Sequence, residues 1–270
     1  MSPKIIFIVP YRNRVEHKHF FTIYMKHILE DYKPEDYEIY FSHQCDNRSF
    51  NRGAVKNIGF LAMKEKYSNE YKNITFVFHD VDTLPYRKNL LPYETNDGTI
   101  KHFYGFKYAL GGIFSIKGGD FERINGFPNL WGWSQEDNLI QTRALKHGLK
   151  IDRSIFFPIR SPSILQFNDG FERKINRNEM KAAINPNYPY GLNVIRNLKT
   201  TIVDEYINIT QFSCEREEMI ASTEVHDIRN GNKIRLGNHR GPGNNSVFNM
   251  NNIMSRSNTV SYTHLRAHET

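Results

Sequence analysis

Ile74-Thr75-Phe76-Val77-Phe78-His79-Asp80-Val81-Asp82 is the stretch on which the fold turns. Five consecutive β-formers without polar alternation fit a strand covered on both faces. The strand runs straight into two carboxylates. Toward the N-terminus, Ile5-Ile6-Phe7-Ile8-Val9 reads the same way, and Tyr37–Ser42 reads as a further strand. Between the strands, His17 to Glu30 places Phe20, Tyr24 and Ile28 four apart with Phe21 and Met25 beside them, and Gly53 to Lys66 aligns Val55, Ile58 and Ala62. Such spacings are helix faces. The order β-α-β-α-β predicts an α/β, doubly wound, mostly parallel sheet. Sheets of that kind bind ligands at the carboxyl ends of their strands. Arg12, Arg14, Asp80 and Asp82 all fall there.

Toward the C-terminus, Tyr108 to Ile116 is a strand-like run broken by Gly111-Gly112. Asp120–Asn125 reads as a short helix stopped by Gly126. Trp131 to Gln135 is a loop, and Glu136 to His147 is a helix closed by Gly148. Periodicity fades beyond about Gln211, and Gly231 to Ser257, rich in Gly, Asn and Ser, reads as a loose tail. The expected organisation is one α/β domain over 1–212, a poorly patterned tail over 213–259 and a last stretch, 260–270. That last stretch resembles the translation of a sequencing-library adaptor and is set aside as non-native.

Composition narrows the function classes. Of 270 residues, 39% are hydrophobic and 13% aromatic, enough for a sizeable core, which excludes wholesale disorder. The net charge of +7 is modest and scattered, and by itself suits an anionic small ligand as well as a nucleic acid; the basic residues form no stripe, so no nucleic-acid partner is expected. No apolar run approaches the roughly 18–20 residues of a membrane span. Cys45 and Cys214 lie far apart and give neither a disulfide framework nor a metal knuckle. Ile5–Val9 is too short for a signal peptide's apolar region, so a cytoplasmic location is expected, with the sequons at Asn47 and Asn73 unused.

Four segments can carry chemistry. Asp80 and Asp82, two apart on extended chain, face one way. Their oxygens suit Mn²⁺ or Mg²⁺ bridged to a diphosphate, although a pair of solvated turn acids fits the same residues. Arg12 and Arg14 are either a phosphate clamp or a solvated basic loop. Phe50-Asn51-Arg52-Gly53 offers an aromatic plane and a cation at a helix start, suited to a stacked base with its phosphate near the helix N-terminus. Plain capping with a core Phe explains it equally well. Trp131-Gly132-Trp133-Ser134-Gln135-Glu136-Asp137 contains both tryptophans of the chain. It reads either as core tryptophans before an acidic helix start, or as a sugar-stacking lid followed by a carboxylate able to serve as a general base toward a hydroxyl.

In order along the chain, Pro10-Tyr11-Arg12-Asn13-Arg14, Phe50-Asn51-Arg52, Phe76 to Asp82, Gly111-Gly112, Ile124 to Asn129 and Trp131 to Asp137 resemble the β-1,4-galactosyltransferase family, glycosyltransferase family 7. The resemblance runs from about Lys4 to about Phe212. It implies a GT-A-like, Rossmann-related fold and an inverting transfer of galactose or N-acetylgalactosamine from a UDP-sugar to a sugar hydroxyl. By matching position, Pro10, Arg12 and Arg14 would hold uridine and diphosphate. Phe50 would stack on uracil beside Arg52. Asp80, with Val81, would face the donor sugar or ribose, and Asp82 would bind Mn²⁺ or Mg²⁺. Gly112 would admit the donor and Trp133 would close over it. Glu136 and Asp137 would bind the acceptor, with Asp137 as base.

The chain departs from the family pattern at four places. Asn138 and Leu139 interrupt the acidic run after Asp137. No Met-x-x-His follows Arg153, leaving Gln166 or Asp169 to complete a metal site. Ala109 stands where galactose-transferring members carry a bulky aromatic, which implies room for an N-acetyl group. The chain begins almost at its first strand, as expected of a soluble microbial or viral-type member without a membrane anchor. A protein that binds sugar nucleotides or glycans but has lost catalysis is the alternative expectation.

Overall fold

The computed structural model describes residues 2–227 except 169, 171, 184, 186 and 219. The tail beyond 227, the adaptor-like stretch and Asp169 therefore lie outside the described residues.

Strand β1 (Ile5–Tyr11) is buried along its whole length and pairs in parallel on both sides. Helix α1 (Val15–Ile28) leads to β2 (Tyr37–Gln44), and α2 (Arg52–Lys66) leads to β3 (Thr75–His79). Ile5 sits opposite Tyr37 in β2 and opposite Thr75 in β3. Side chains of β1 alternate between two cores. Ile5, Phe7 and Val9 pack with Phe21, Met25 and Ile28 of α1, whereas Ile6 and Ile8 pack with Ala54, Val55 and Ile58 of α2. The first half is the doubly wound α/β arrangement expected from the sequence.

After β3 the chain changes direction. It forms β4 (Thr83–Pro85), β5 (Thr99–Gly105) and β6 (Ile113–Lys117), with β6 antiparallel to both β3 and β5. Only the end of the glycine-broken run is strand. Gly112, with φ of +67°, turns the chain into β6. Helix α3 (Gly118–Arg123) begins two residues earlier than its sequence pattern, and α4 (Glu136–Lys146) starts at the predicted acid. Short strands β7 (Lys150–Asp152) and β8 (Phe157–Pro158) run parallel to β5, and β9 (Ile164–Gln166) pairs with β4.

Beyond β10 (Glu172–Asn176) and α5 (Arg177–Ala183), the hairpin of β11 (Arg196–Val203) and β12 (Tyr206–Ser213) returns to the main sheet. There β12 lies parallel to β2. The central sheet has nine strands, mixed and mostly parallel, in one domain. Residues 213–227 differ from the patternless tail expected there. They include β13 (Thr223–Asp227), antiparallel to β10, and Glu215, whose carboxylate accepts from Tyr188 and Asn129.

One buried side chain fixes α2 against the loop ahead of α4. Asn57 donates to Phe127 O at 2.8 Å and to Asn129 Oδ1 at 2.9 Å, and accepts from Phe127 N at 2.9 Å. We expect Asn57→Ala to lower unfolding stability by about 2–4 kcal/mol in urea denaturation, because it orphans buried backbone groups. A loss below half a kcal/mol would contradict that role.

Candidate active site

A cavity of about 710 Å³ opens at the carboxyl ends of β1 and β3. Pro10, Arg12, Arg14, Phe50, Arg52, Asp80, Val81, Asp82, Gly112, Trp133, Glu136, Asp137 and Gln166 all line it. Every sequence-predicted site residue within the described part of the chain is thus brought to one place.

The cavity is organised around Arg52. Asn51 caps α2 by accepting from Ala54 N at 2.9 Å, while its own N–H donates to Gln44 Oε1 at 2.9 Å. This fixes the first turn of α2 and aims Arg52 inward. Its Nη2 donates to both oxygens of Asp80 at 2.6 and 2.7 Å. Its Nη1 donates to Glu136 Oε1 and Asp137 Oδ2, each at 2.8 Å. One guanidinium therefore ties the end of β3 to the start of α4, using the fork geometry that suits carboxylates.

Lys56, one turn further along α2, was missed by the sequence reading. It is 1% exposed, with Nζ 3.5 Å from Asp137 Oδ1 and 3.9 Å from Asp80 Oδ1. The available signal was its spacing of four from Arg52, which puts both on one helix face.

The charges perturb one another. Burial opposes ionisation of Asp80, but Arg52 and Lys56 outweigh it and hold its pKa below the ordinary value. Burial, together with the neighbouring Asp137 charge, pushes the Glu136 pKa up despite Arg52. Glu136 Oε2 is buried without a hydrogen-bond partner. Burial, and Arg52 alongside, pull the Lys56 pKa down.

Arg12 departs from a pure phosphate clamp. Its Nη2 donates to Asp46 O at 2.7 Å and its Nη1 to Arg48 O, so it braces the loop ahead of Phe50. Phe50 is half-buried, packed against the core as well as lining the cavity. The two tryptophans divide. Trp131 is a core residue: its ring stacks on Phe212 with centroids 5.7 Å apart, and its Nε1 donates to Arg216 O at 2.9 Å. Trp133 is half-buried against the cavity, its backbone N–H donating to Lys174 O at 2.7 Å.

Asp82 sits where β4 meets β9. Phe167 N donates to Asp82 O at 2.8 Å, and Gln166 pairs with Thr83. Gln166 Oε1 accepts from Tyr104 Oη at 2.6 Å. Burial, with the negative charges of Asp82 and Asp80 adding, pushes the Tyr104 pKa up to about 12. Among the described residues no group of three or more His, Cys, Asp or Glu is placed to hold a metal. The donors present are all oxygen, a set that fits Mg²⁺ or Mn²⁺, which keep water and phosphate ligands.

Two buried histidines brace the site. His79 Nδ1 lies 3.0 Å from Asp80 O. His102 Nε2 donates to Tyr104 O and Gly111 O, both at 3.1 Å, and Nδ1 accepts from Arg153 Nε at 3.0 Å. Gly111 in turn touches Asp137: a Cβ there would fall 2.5 Å from Asp137 Oδ2.

The sheet order and the ligand cavity at the strand ends define a GT-A-type architecture. A family model described as the N-terminal region of glycosyl transferase group 7 matches residues 1–93, and one described as the N-terminal domain of galactosyltransferase matches residues 99–162. Together they span more than half of the chain, and the protein belongs to glycosyltransferase family 7. It is 35% identical over 163 residues to mouse beta-1,4-galactosyltransferase 1, covering 57% of this chain and 40% of the mouse protein. It is 29% identical over 189 residues to human beta-1,4-galactosyltransferase 4, covering 66% of this chain and 52% of that protein. The chain thus spans about half or less of the curated relatives it matches. The catalytic domain of Drosophila beta1,4-galactosyltransferase 7, solved with xylobiose, superposes with a TM-score of 0.61 at 23% identity, over 79% of this chain and 96% of that one. A mutant of the fly enzyme, solved with manganese, UDP-Gal and xylobiose, gives 0.60 over the same shares. No helix among the described residues is long and apolar enough to cross a membrane.

The histidines predict an acid sensitivity. Burial lowers both pKa values from 6.5 to about 4. Between those values the unfolded chain binds protons that the folded chain refuses, so stability falls as pH falls from 6.5 to 4. The loss is roughly 3 kcal/mol per histidine. In urea unfolding, the advantage of wild type over His102→Gln should shrink across that range. A pH-independent difference would contradict the buried, neutral assignment.

Proposed function

We propose that this protein moves galactose or N-acetylgalactosamine from a UDP-sugar to a sugar hydroxyl, with inversion and with help from a divalent cation. The observation that carries this reading is the convergence of Asp80 with Glu136 and Asp137 on Arg52 in one cavity. The fly relative solved with manganese, UDP-Gal and xylobiose supports the ligand classes.

On this reading Phe50 stacks on the uracil, and Pro10, Arg14 and the remaining donors of Arg12 face uridine and diphosphate. Asp80 and Val81 line the donor sugar, Gly112 admits it, and Trp133 covers it. Asp82 would hold Mn²⁺ or Mg²⁺, with the side-chain oxygen of Gln166 as a further candidate ligand. A cation there supplies Lewis-acid neutralisation of charge on departing UDP. Glu136 offers its unpartnered Oε2 to an acceptor hydroxyl. Asp137 takes that hydroxyl's proton as the oxygen attacks the anomeric carbon, opposite the leaving group. A base so placed gives inversion in a single displacement. The loose metal set, with no cluster of three His, Cys, Asp or Glu among the described residues, favours a second reading, a sugar-nucleotide-binding protein without turnover. The mixing of 213–227 into the fold supports a catalytic unit that runs past 212.

UDP release in the presence of Mn²⁺ and simple acceptor sugars separates the two readings, since the binding protein releases none. Asp82→Ala should abolish metal-dependent UDP binding. Asp137→Asn should keep donor binding while turnover falls about 10²–10⁴-fold; normal turnover would remove Asp137 as base. Buried Ala109 lines the cavity with a small side chain, which on this reading leaves room for an N-acetyl group. At equal concentrations UDP-GalNAc should therefore be used at least as well as UDP-galactose, and strict UDP-galactose use would contradict this.

A further inference from the structure

Lys56 is a buried ion that the reaction above leaves without a task. Its Nζ lies between Asp137 Oδ1 and Asp80 Oδ1 and 4.5 Å from the centre of the Phe127 ring. A lysine at this depth is an expensive filler, since an apolar side chain would occupy the space at lower cost. Three carboxylates here share two cations. Arg52, 21% exposed, lines the cavity in which the donor is proposed to bind; Lys56, 1% exposed behind it, does not. To the extent that Arg52 shares its charge with a donor phosphate, Asp80 and Asp137 depend on the Lys56 cation. The opposite side of Asp137 is closed by Gly111, and Leu110 N donates to Asp137 O at 2.8 Å.

Resting on the transfer reaction proposed above, we propose that Lys56 is a positioning residue for that reaction. Its ammonium holds the Asp137 carboxylate against Gly111, aimed at the acceptor hydroxyl, while Arg52 serves the donor. Lys56 itself touches neither substrate.

The test uses the full chain with Lys56→Met, Lys56→Gln and Lys56→Arg. It reads kcat and KM by UDP release, and UDP affinity with Mn²⁺ by calorimetry. Lys56→Met should lose on the order of 100-fold in kcat, the size of a lost fixed electrostatic contact. UDP affinity should stay within about threefold, since donor binding does not use Lys56. Lys56→Arg, which keeps the charge, should exceed Lys56→Gln in kcat. Wild-type kcat in Lys56→Met, or parallel losses of kcat and UDP affinity, would overturn the inference. If Lys56→Met does not fold, equal kcat in the Arg and Gln variants overturns it. Absence of UDP release by the wild type overturns the transfer reading itself, a distinguishable result.

Discussion

The Arg52 guanidinium is the contact on which the site depends. It reaches Asp80 at the end of β3 and Glu136 and Asp137 at the start of α4. These acids come from chain segments more than fifty residues apart, and without a cation between them they would repel. Three carboxylates this close, Glu136 buried and Asp80 and Asp137 half-buried, are tolerable only because Arg52 and Lys56 pair with them. The same pairing brings the donor-facing and acceptor-facing acids of the proposed reaction within reach of one another.

The scaffold serves to hold that guanidinium still. Asn51 and Gln44 fix the first turn of α2, and Asn57 locks α2 to the Phe127–Asn129 loop. Gly53 makes the approach possible, because a Cβ there would collide with the Pro128 carbonyl. Trp131, stacked on Phe212 with the Arg48 guanidinium against both rings, anchors the following loop, so that Trp133 is presented to the cavity. His102 holds Gly111 against Asp137 from the far side. Each is a buried polar or aromatic contact with few alternatives, which is how a site is kept in geometry.

β1 and β3 were legible because strands buried on both faces announce themselves as apolar runs, and β2 because its β-forming residues lie between two helical patterns. The family motifs then located the cavity residues, and all that are described do line it. The edge of the sheet was less legible. β11 is exposed along nearly its whole length, so its pattern carries no burial signal. β7, β8 and β9 are three residues or fewer, too short for any periodicity. Residues 213–227 had looked patternless because their contacts are polar, such as Glu215 with Tyr188 and Ser49 with Glu218. Lys56 was overlooked for a related reason: a lysine on a helix reads as surface until a three-dimensional partner is seen. Arg12 shows the converse, a cation that looked free for a ligand but spends two donors on backbone carbonyls.

The central claim is that these carboxylates and cations form one centre for inverting sugar transfer. Proton NMR of the product made from UDP-α-galactose, Mn²⁺ and a simple acceptor sugar tests it most directly. The account predicts a β-linked product formed together with UDP. An α-linked product, or no product at all, would contradict it.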